Sequence, residues 1–586
     1  MPTKQSQHYF YPAMAASLNL RGLCKGGDDL GCTRLVVHES FPKSVLVSVV
    51  PQSNSGMWNR MLVKCCPRFA VVFVMALVFV CRCQVGLGDE PEPPYFNYEM
   101  RQMLIEGSYH IEPTPPVAVD NTRQLLLDDH VVDDVWGCRR TVHPPVKHAD
   151  NPVIRSESLT VHPIVQGTVS YDPMRGGFRL WSRQWHLARE KYDQSLVQNY
   201  FESEDGIRWT APDLQLVEFN GSQANNLMLG DKGVIYGDPS VVKVPPRLRS
   251  RGKYAMLYGF VREKLAPGEH HSMQDRIAWS DDGIHWKDQD ENPVFHARND
   301  TFCNIVYNAE RDVFMMYRRA SVNGHQIRRI AYSESKDLIT WTQPVVILRP
   351  DELDPSMLYG MPVTRYQGVY IGLLQMFYGP PLDSALPEVS ELKQSHIDIQ
   401  LAWSRDGIRW QRHPQRPIFL GNGLPGSYDS GQIGACQGLP ELHNEIYIYY
   451  RADAALHRKE DLMKNPSGQL CLAKLRKDGF VSLDAPTQGY MLTKPLLCPG
   501  GKLHINAKTQ PGGFVRVAVR RGDGEQDGNW LQGWTFDEGD DFVFSGDSTD
   551  AMLRWETKES FDSLQGQSIR LHVWMMKAAL YSFWFE

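Results

Sequence analysis

The heptapeptide Ser203-Glu204-Asp205-Gly206-Ile207-Arg208-Trp209 returns as Ser280-Asp281-Asp282-Gly283-Ile284-His285-Trp286 and as Ser404-Arg405-Asp406-Gly407-Ile408-Arg409-Trp410. A looser copy runs from Ser333 to Trp341 around Asp337, and a degenerate fifth is Arg476-Lys477-Asp478-Gly479-Phe480. The Asp positions step by 77, 55, 69 and 72 residues. Such a repeat constrains the fold strongly, because each unit must bury its apolar face against its neighbours. Every copy follows a run rich in aromatic and β-branched residues: Gly177–Arg183, Lys253–Phe260, Val313–Arg319, Val369–Tyr378 and Glu445–Arg451. These are strand signals. The Asp-Gly pair predicts a two-residue hairpin turn with positive φ, and the Trp beyond it is placed to pack on the next repeat.

The unit is therefore a small antiparallel sheet, and periods above 50 residues with several strands each suggest propeller blades. The chain is expected to be all-β, with a five-bladed β-propeller over residues 121–482. From 483 to 586 the blade motif disappears, and alternating strands such as Lys502–Ala507, Phe514–Arg521, Ala551–Trp555, Ile569–Met575 and Leu580–Phe585 predict an antiparallel β-sandwich. Residues 89–120 are rich in Pro and Glu and read as a linker.

Residues 1–88 read as an N-terminal extension and signal peptide. A basic flank (Arg60, Lys64, Arg68) precedes the apolar run Phe69–Val80, and Gly86 and Gly88 follow near a plausible cut. Met61 would be a natural start, and the mature chain is expected to begin near Asp89 as a secreted or periplasmic protein. The rival reading is one N-terminal membrane anchor, but the run falls short of the ~20 residues that span a bilayer. Hydrophobic residues make up 42% and charged residues 22%, which is globular composition. A net charge of -6 excludes the basic field that nucleic-acid binding needs. Of the 11 Cys, only Cys138, Cys303, Cys436, Cys471 and Cys498 lie beyond residue 89, with no C-x-x-C. They make no zinc cluster or disulfide scaffold; they read as buried apolar side chains, with one or two bridges as the alternative.

The stretch Gln124–Arg140, then His143-Pro144, Asn151-Pro152-Val153, Gly167–Asp172 and the S-x-D-G-x-x-W copies resemble a group of exported bacterial proteins. That group has a five-bladed propeller similar to invertases, levansucrases and arabinanases (glycosyl hydrolase families 32 and 43) and a C-terminal sandwich. The resemblance implies a carbohydrate substrate or ligand and an acidic cluster in a central funnel. Glycosidic cleavage needs two carboxyl groups flanking the bond. Asp238 in Gly237-Asp238-Pro239 resembles the Asp of invertase-like enzymes that contacts sugar hydroxyls, and Asp300 and Asp429 occupy similar places in later repeats. These three are the candidate catalytic residues, with Glu157, Arg298, Tyr359 and Gln432 as candidate substrate-binding residues. The first repeat lacks the expected Asp motif, so Glu157 or Asp128 and Asp129 would have to substitute. Asp205, Asp282 and Asp406 read as turn-formers beside their Gly neighbours.

No Walker loop, H-E-x-x-H or G-x-S-x-G occurs. No cofactor is expected, and Ca²⁺ is the cation that funnel carboxylates and carbonyls would suit. Two function classes remain: a glycoside hydrolase-like enzyme, or a non-catalytic carbohydrate- or surface-binding protein on the same scaffold.

Overall fold

The computed structural model describes residues 33–40, 44–51, 115–155, 164–185, 196–219, 221–229, 234–262, 273–295, 303–322, 325–354, 357–378, 395–457, 468–522, 530–536, 543–556 and 558–586. It divides into two compact units, Met1–Glu112 and Pro113–Glu586. In the first unit Thr33–Ser40 pairs antiparallel with Ser44–Pro51. The expected signal core Phe69–Val80 lies outside the described residues.

The second unit is all-β, as expected. Its described residues hold only two short 3-10 turns, Pro246–Leu248 and Asp562–Leu564, beside the strands. Three sheets follow the chain in order. One is built from Ile164–Asp172, Gly177–Trp185, Leu196–Ser203 and Leu227–Leu229. The next sets the broken strand Val234–Tyr236 and Ser240–Lys243 on Tyr254–Arg262, followed by Met273–Ser280 and Lys287–Asp288. The third is Asn304–Asn308, Val313–Val322, His325–Ser335 and Val345–Leu348.

Two further groups are joined by the single parallel pair Ile397↔Gln432. The fourth group centres on Val369–Tyr378 and His396–Ser404. The fifth runs Gln432–Ala435, Glu445–Asp453, Gln469–Arg476, with Val146–Lys147 as its outermost strand. That last strand comes from before the first sheet, so the start of the chain segment closes onto its end.

Gln437 ties the five groups together. Its Nε2 donates to the carbonyls of Ile305 and Val363, and its Oε1 accepts from the hydroxyls of Ser240 and Thr168. Thr168, Ser240, Ile305 and Val363 lie on the first strands of the first four groups. One amide side chain thus meets the first four groups from beside the fifth, and it is buried at 6% exposure, so each of these bonds is made away from water.

The repeat motif is a turn, but a wider one than the expected two-residue hairpin. The flanking bridges are Glu202↔Thr210, Trp279↔Lys287 and Trp403↔Gln411, so the first turn spans 203–209. Asp205 Oδ1 accepts from the backbone N–H groups of Ile207 and Arg208, and Ser203 Oγ accepts from the N–H of Gly206. Asp282, Asp337 and Asp406 make the same contacts. The side chain supplies the acceptors that a tight hairpin would supply from backbone. Positive φ falls on Gly206, Gly283 and Gly407, and on Leu338 in the copy that lacks Gly.

Each turn sits on the preceding sheet. Trp181 Nε1 donates to Gly283 O, Tyr317 Oη to Gly407 O and Tyr449 Oη to Gly206 O. Trp209 meets Tyr449 edge-on at 5.5 Å between centroids, and Trp410 meets Tyr317 at 5.7 Å.

The remaining strands form one hydrogen-bonded sheet around Val481–Thr493, Leu503–Arg521 and Ser568–Phe585. Val515, Val517, Val519, Leu571, Val573 and Met575 point to its core, where Trp534, Trp555 and Phe561 also pack. Val117–Ala118, Gln124–Leu125, Val132–Trp136 and Arg139–Val142 join this sheet. Part of the expected linker, and the first strands after it, are therefore built into the C-terminal sheet. Of the five later cysteines, Cys303, Cys436, Cys471 and Cys498 are buried and Cys138 is half-buried.

Candidate functional site

The strand register separates two ends of the repeat sheets. The S-x-D-G turns lie where Phe178 pairs with Ser203, Phe314 with Ser335 and Tyr370 with Ser404. At the opposite strand ends lie Arg183, Arg319, Arg328, Phe377 and Arg451. In three second strands an aromatic residue is followed at i+2 by Arg: Trp181/Arg183, Tyr317/Arg319 and Tyr449/Arg451. Alternation puts both on one face. The aromatic ring fixes the next turn while the Arg reaches the opposite end.

Asp238 sits there, in the break between Val234–Tyr236 and Ser240–Lys243. Gly237 faces Gly259, and a Cβ on Gly237 would meet the Gly259 backbone at 2.7 Å, so two glycines permit the close approach that seats Asp238. Its side chain is 1% exposed and pairs with Arg183 Nε at 3.0 Å. Burial pushes the carboxyl upward, opposed by the charges of Arg183 and Arg451 and by the N–H of Gln166.

Asp429 is buried as well but has a different set of partners. Lys147 Nζ lies 2.5 Å from its Oδ2, and Ser427 Oγ donates to its Oδ1 at 2.9 Å. Asp300, Glu157 and Arg298 lie outside the described residues. Asp128 pairs with Arg405 and Asp129 with Arg140.

Tyr359 and Gln432 are brought together by a residue that the sequence reading did not single out. His457 Nδ1 lies 3.0 Å from Gln432 Oε1. Its ring meets Tyr359 edge-on at 4.8 Å and Phe377 at 5.5 Å. Burial, then the charges of Arg328, Arg451 and Arg319, push its pKa down to about 3, so it stands neutral. Arg328 lies over the Tyr359 and Phe377 rings, and Arg319 over Tyr359. The aromatic-x-Arg pattern was the available signal for Arg183, Arg319 and Arg451; a lone His in a loop offers none.

The result is a cationic, partly desolvated surface with flat aromatic faces, a neutral imidazole and a buried carboxyl. It offers guanidinium N–H donors and the half-buried Tyr359 ring to a polar ring-shaped ligand. Among the described residues no group of three His, Cys, Asp or Glu stands close enough to hold a metal ion, and no helix is long and apolar enough to cross a membrane.

No protein-family model matches the chain, and no curated protein sequence matches it. Solved structures do. An N-acetylgalactosamine deacetylase from F. plautii, in complex with blood group B trisaccharide, is 14% identical, covering 63% of this chain and 96% of its own at a TM-score of 0.37. A glycosyl hydrolase from Bacteroides ovatus is 13% identical over 57% of this chain and 94% of its own, with a TM-score of 0.40. The Bombyx mori GH32 β-fructofuranosidase is 10% identical over 76% of this chain and 93% of its own, with a TM-score of 0.36. Each activity named is that protein's own.

Proposed function

We propose that the five strand groups are the blades of a five-bladed β-propeller followed by a C-terminal β-sandwich, and that the chain is an exported carbohydrate-active protein. Its glycan rests at the strand ends that carry Tyr359, Phe377, His457, Arg328 and Gln432. The observation that carries this reading is the grouping of aromatic faces with hydrogen-bonding side chains around His457. The Gln437 hub supports the radial arrangement. Binding is favoured over hydrolysis because both described candidate acids are buried in ion pairs with Arg183 and Lys147. The test is binding of the mature chain to a panel of polysaccharides. Tyr359→Ala should weaken retention about tenfold or more, by loss of an aromatic contact; equal retention of the variant would remove Tyr359 from the site.

A second reading, hydrolysis, has one observation in its favour. Burial raises the Asp238 carboxyl, which suits a proton donor to a leaving oxygen. It requires Arg183 to yield its place when substrate enters. If this reading holds, Asp238→Asn abolishes sugar turnover while glycan binding survives. Unchanged turnover in that variant would dismiss it.

A further inference from the structure

Arg328 projects from the strand His325–Ser335, and its guanidinium lies 5.1 Å from the Tyr359 ring centroid and 4.8 Å from that of Phe377. Among the described residues its side chain makes no hydrogen bond and no ion pair, and its Nη1 is buried. Ring faces attract a cation but accept none of its five N–H bonds in the way an oxygen does. A desolvated guanidinium without an acceptor is costly unless something arrives to fill the place.

The acids at these strand ends already have partners. Asp453 is bound by Arg451 Nη2 at 2.7 Å, Asp238 by Arg183, and Asp398 by the Tyr378 hydroxyl. Arg319 brings a second positive charge within 5.2 Å of the Tyr359 ring. His457, held neutral by burial and then by the neighbouring arginine charges, adds no further cation but presents an imidazole against the same rings. The local charge is therefore positive on a chain whose net charge is -6.

We infer that Arg328 receives an oxyanion carried on a sugar ring, a uronate carboxylate or a sulfate ester, while Tyr359 flanks the ring that carries it. The planar fork of the guanidinium matches two oxygens of either group. This rests on the carbohydrate reading above and narrows it to acidic glycans.

The mature chain is titrated calorimetrically with polygalacturonate and alginate fragments, their carboxyl-reduced neutral counterparts, and sulfated galactan fragments. The expected result is preference for acidic over neutral forms by about tenfold or more, lost in Arg328→Gln and partly restored in Arg328→Lys. The uronate and sulfate arms decide which oxyanion is read. Thermal melting of the variants controls for folding, since removing the guanidinium gives up its ring contacts but relieves an unmet hydrogen-bonding cost, and these opposing effects should leave stability nearly unchanged. Equal binding of neutral and acidic forms, or acidic binding unchanged in Arg328→Gln, overturns the inference and leaves the carbohydrate reading standing. Binding of no glycan of any class overturns both.

Discussion

At the scale of single residues, the repeat motif shows how one carboxylate holds a turn. Burial alone would raise the Asp406 carboxyl. The N–H of Arg409, the Arg409 side chain, the N–H of Ile408 and the Ser404 hydroxyl outweigh it and bring the pKa down to about 2. Asp205, Asp282 and Asp337 are lowered by similar sets of donors. A folded pKa below the unfolded value of about 3.9 contributes stability that is present above that value. That stability disappears as pH falls toward 2. Acid unfolding should therefore steepen between about pH 4 and pH 2, and Asp406→Asn should be less stable at neutral pH with a shallower acid limb. An acid limb identical to wild type would mean that the turn carboxylate is not thermodynamically coupled to folding. The motif was fully legible in the sequence, but its geometry was not. Asp-Gly suggests a tight hairpin, whereas Ser203 and Asp205 together cap a wider loop, a device that depends on two side chains at once.

At the scale of elements, the second strands were found nearly to the residue. Val369–Tyr378 has the expected bounds, and Gly177–Trp185 runs only slightly farther than expected. Their aromatic residues do more than fill space. Tyr317 donates to Gly407 O at 2.9 Å, while a Cβ on Gly407 would lie 2.6 Å from that hydroxyl. Tyr317→Phe keeps the ring against Trp410 but removes one of the two donors to the Gly407 carbonyl, which still accepts from Trp410 Nε1 at 3.2 Å, and should cost about 0.5–1.5 kcal/mol in urea unfolding. A value near zero would show that the ring alone secures the turn. The C-terminal strands were misjudged for a clear reason. Gln510-Pro511-Gly512-Gly513 is a turn signal in any sequence. Here it sits inside Leu503–Arg521 as a register break between Thr509 and Phe514. The partner Ser568–Phe585 continues straight past it, so two predicted strands on each side are one. A bulge and a turn share the same residues, and only the long-range partner tells them apart.

At the scale of the whole unit Pro113–Glu586, the degenerate fifth motif has been given another task. Asp478 is 1% exposed and accepts from Tyr366 of the fourth group and from Asn506 and Ser582 of the C-terminal sheet. Arg123 Nη1 pairs with it at 2.9 Å and also donates to Thr549 O, while its guanidinium covers the Trp584 ring at 3.5 Å. No sequence pattern announces this, because residues 123, 366, 478, 506 and 582 share neither spacing nor motif. The candidate site was equally hidden where its parts come from different sheets: Arg328, Tyr359 and His457 meet only once the sheets are assembled. One buried carboxylate thus joins the repeat sheets to the C-terminal sheet, and the unit should unfold in a single calorimetric transition. Asp478→Ala removes the shared acceptor and leaves the Arg123 charge, which is 10% exposed, with the Thr549 carbonyl and the exposed Asp550 carboxylate at 3.9 Å. Breaking such a pair costs about 3–5 kcal/mol. The loss falls chiefly on the junction, because most of the C-terminal sheet packs in a cluster of its own, while of the buried residues on its strands only Leu125 and Val481 pack into the core of the fourth and fifth groups. The variant should therefore melt in two transitions, the repeat sheets and the C-terminal sheet coming apart at different temperatures. Arg123→Met with Asp478→Asn, which removes both charges and keeps the volume, should bring the two transitions back together. A single transition in Asp478→Ala, merely shifted to lower temperature, would show that packing rather than this carboxylate couples the two parts.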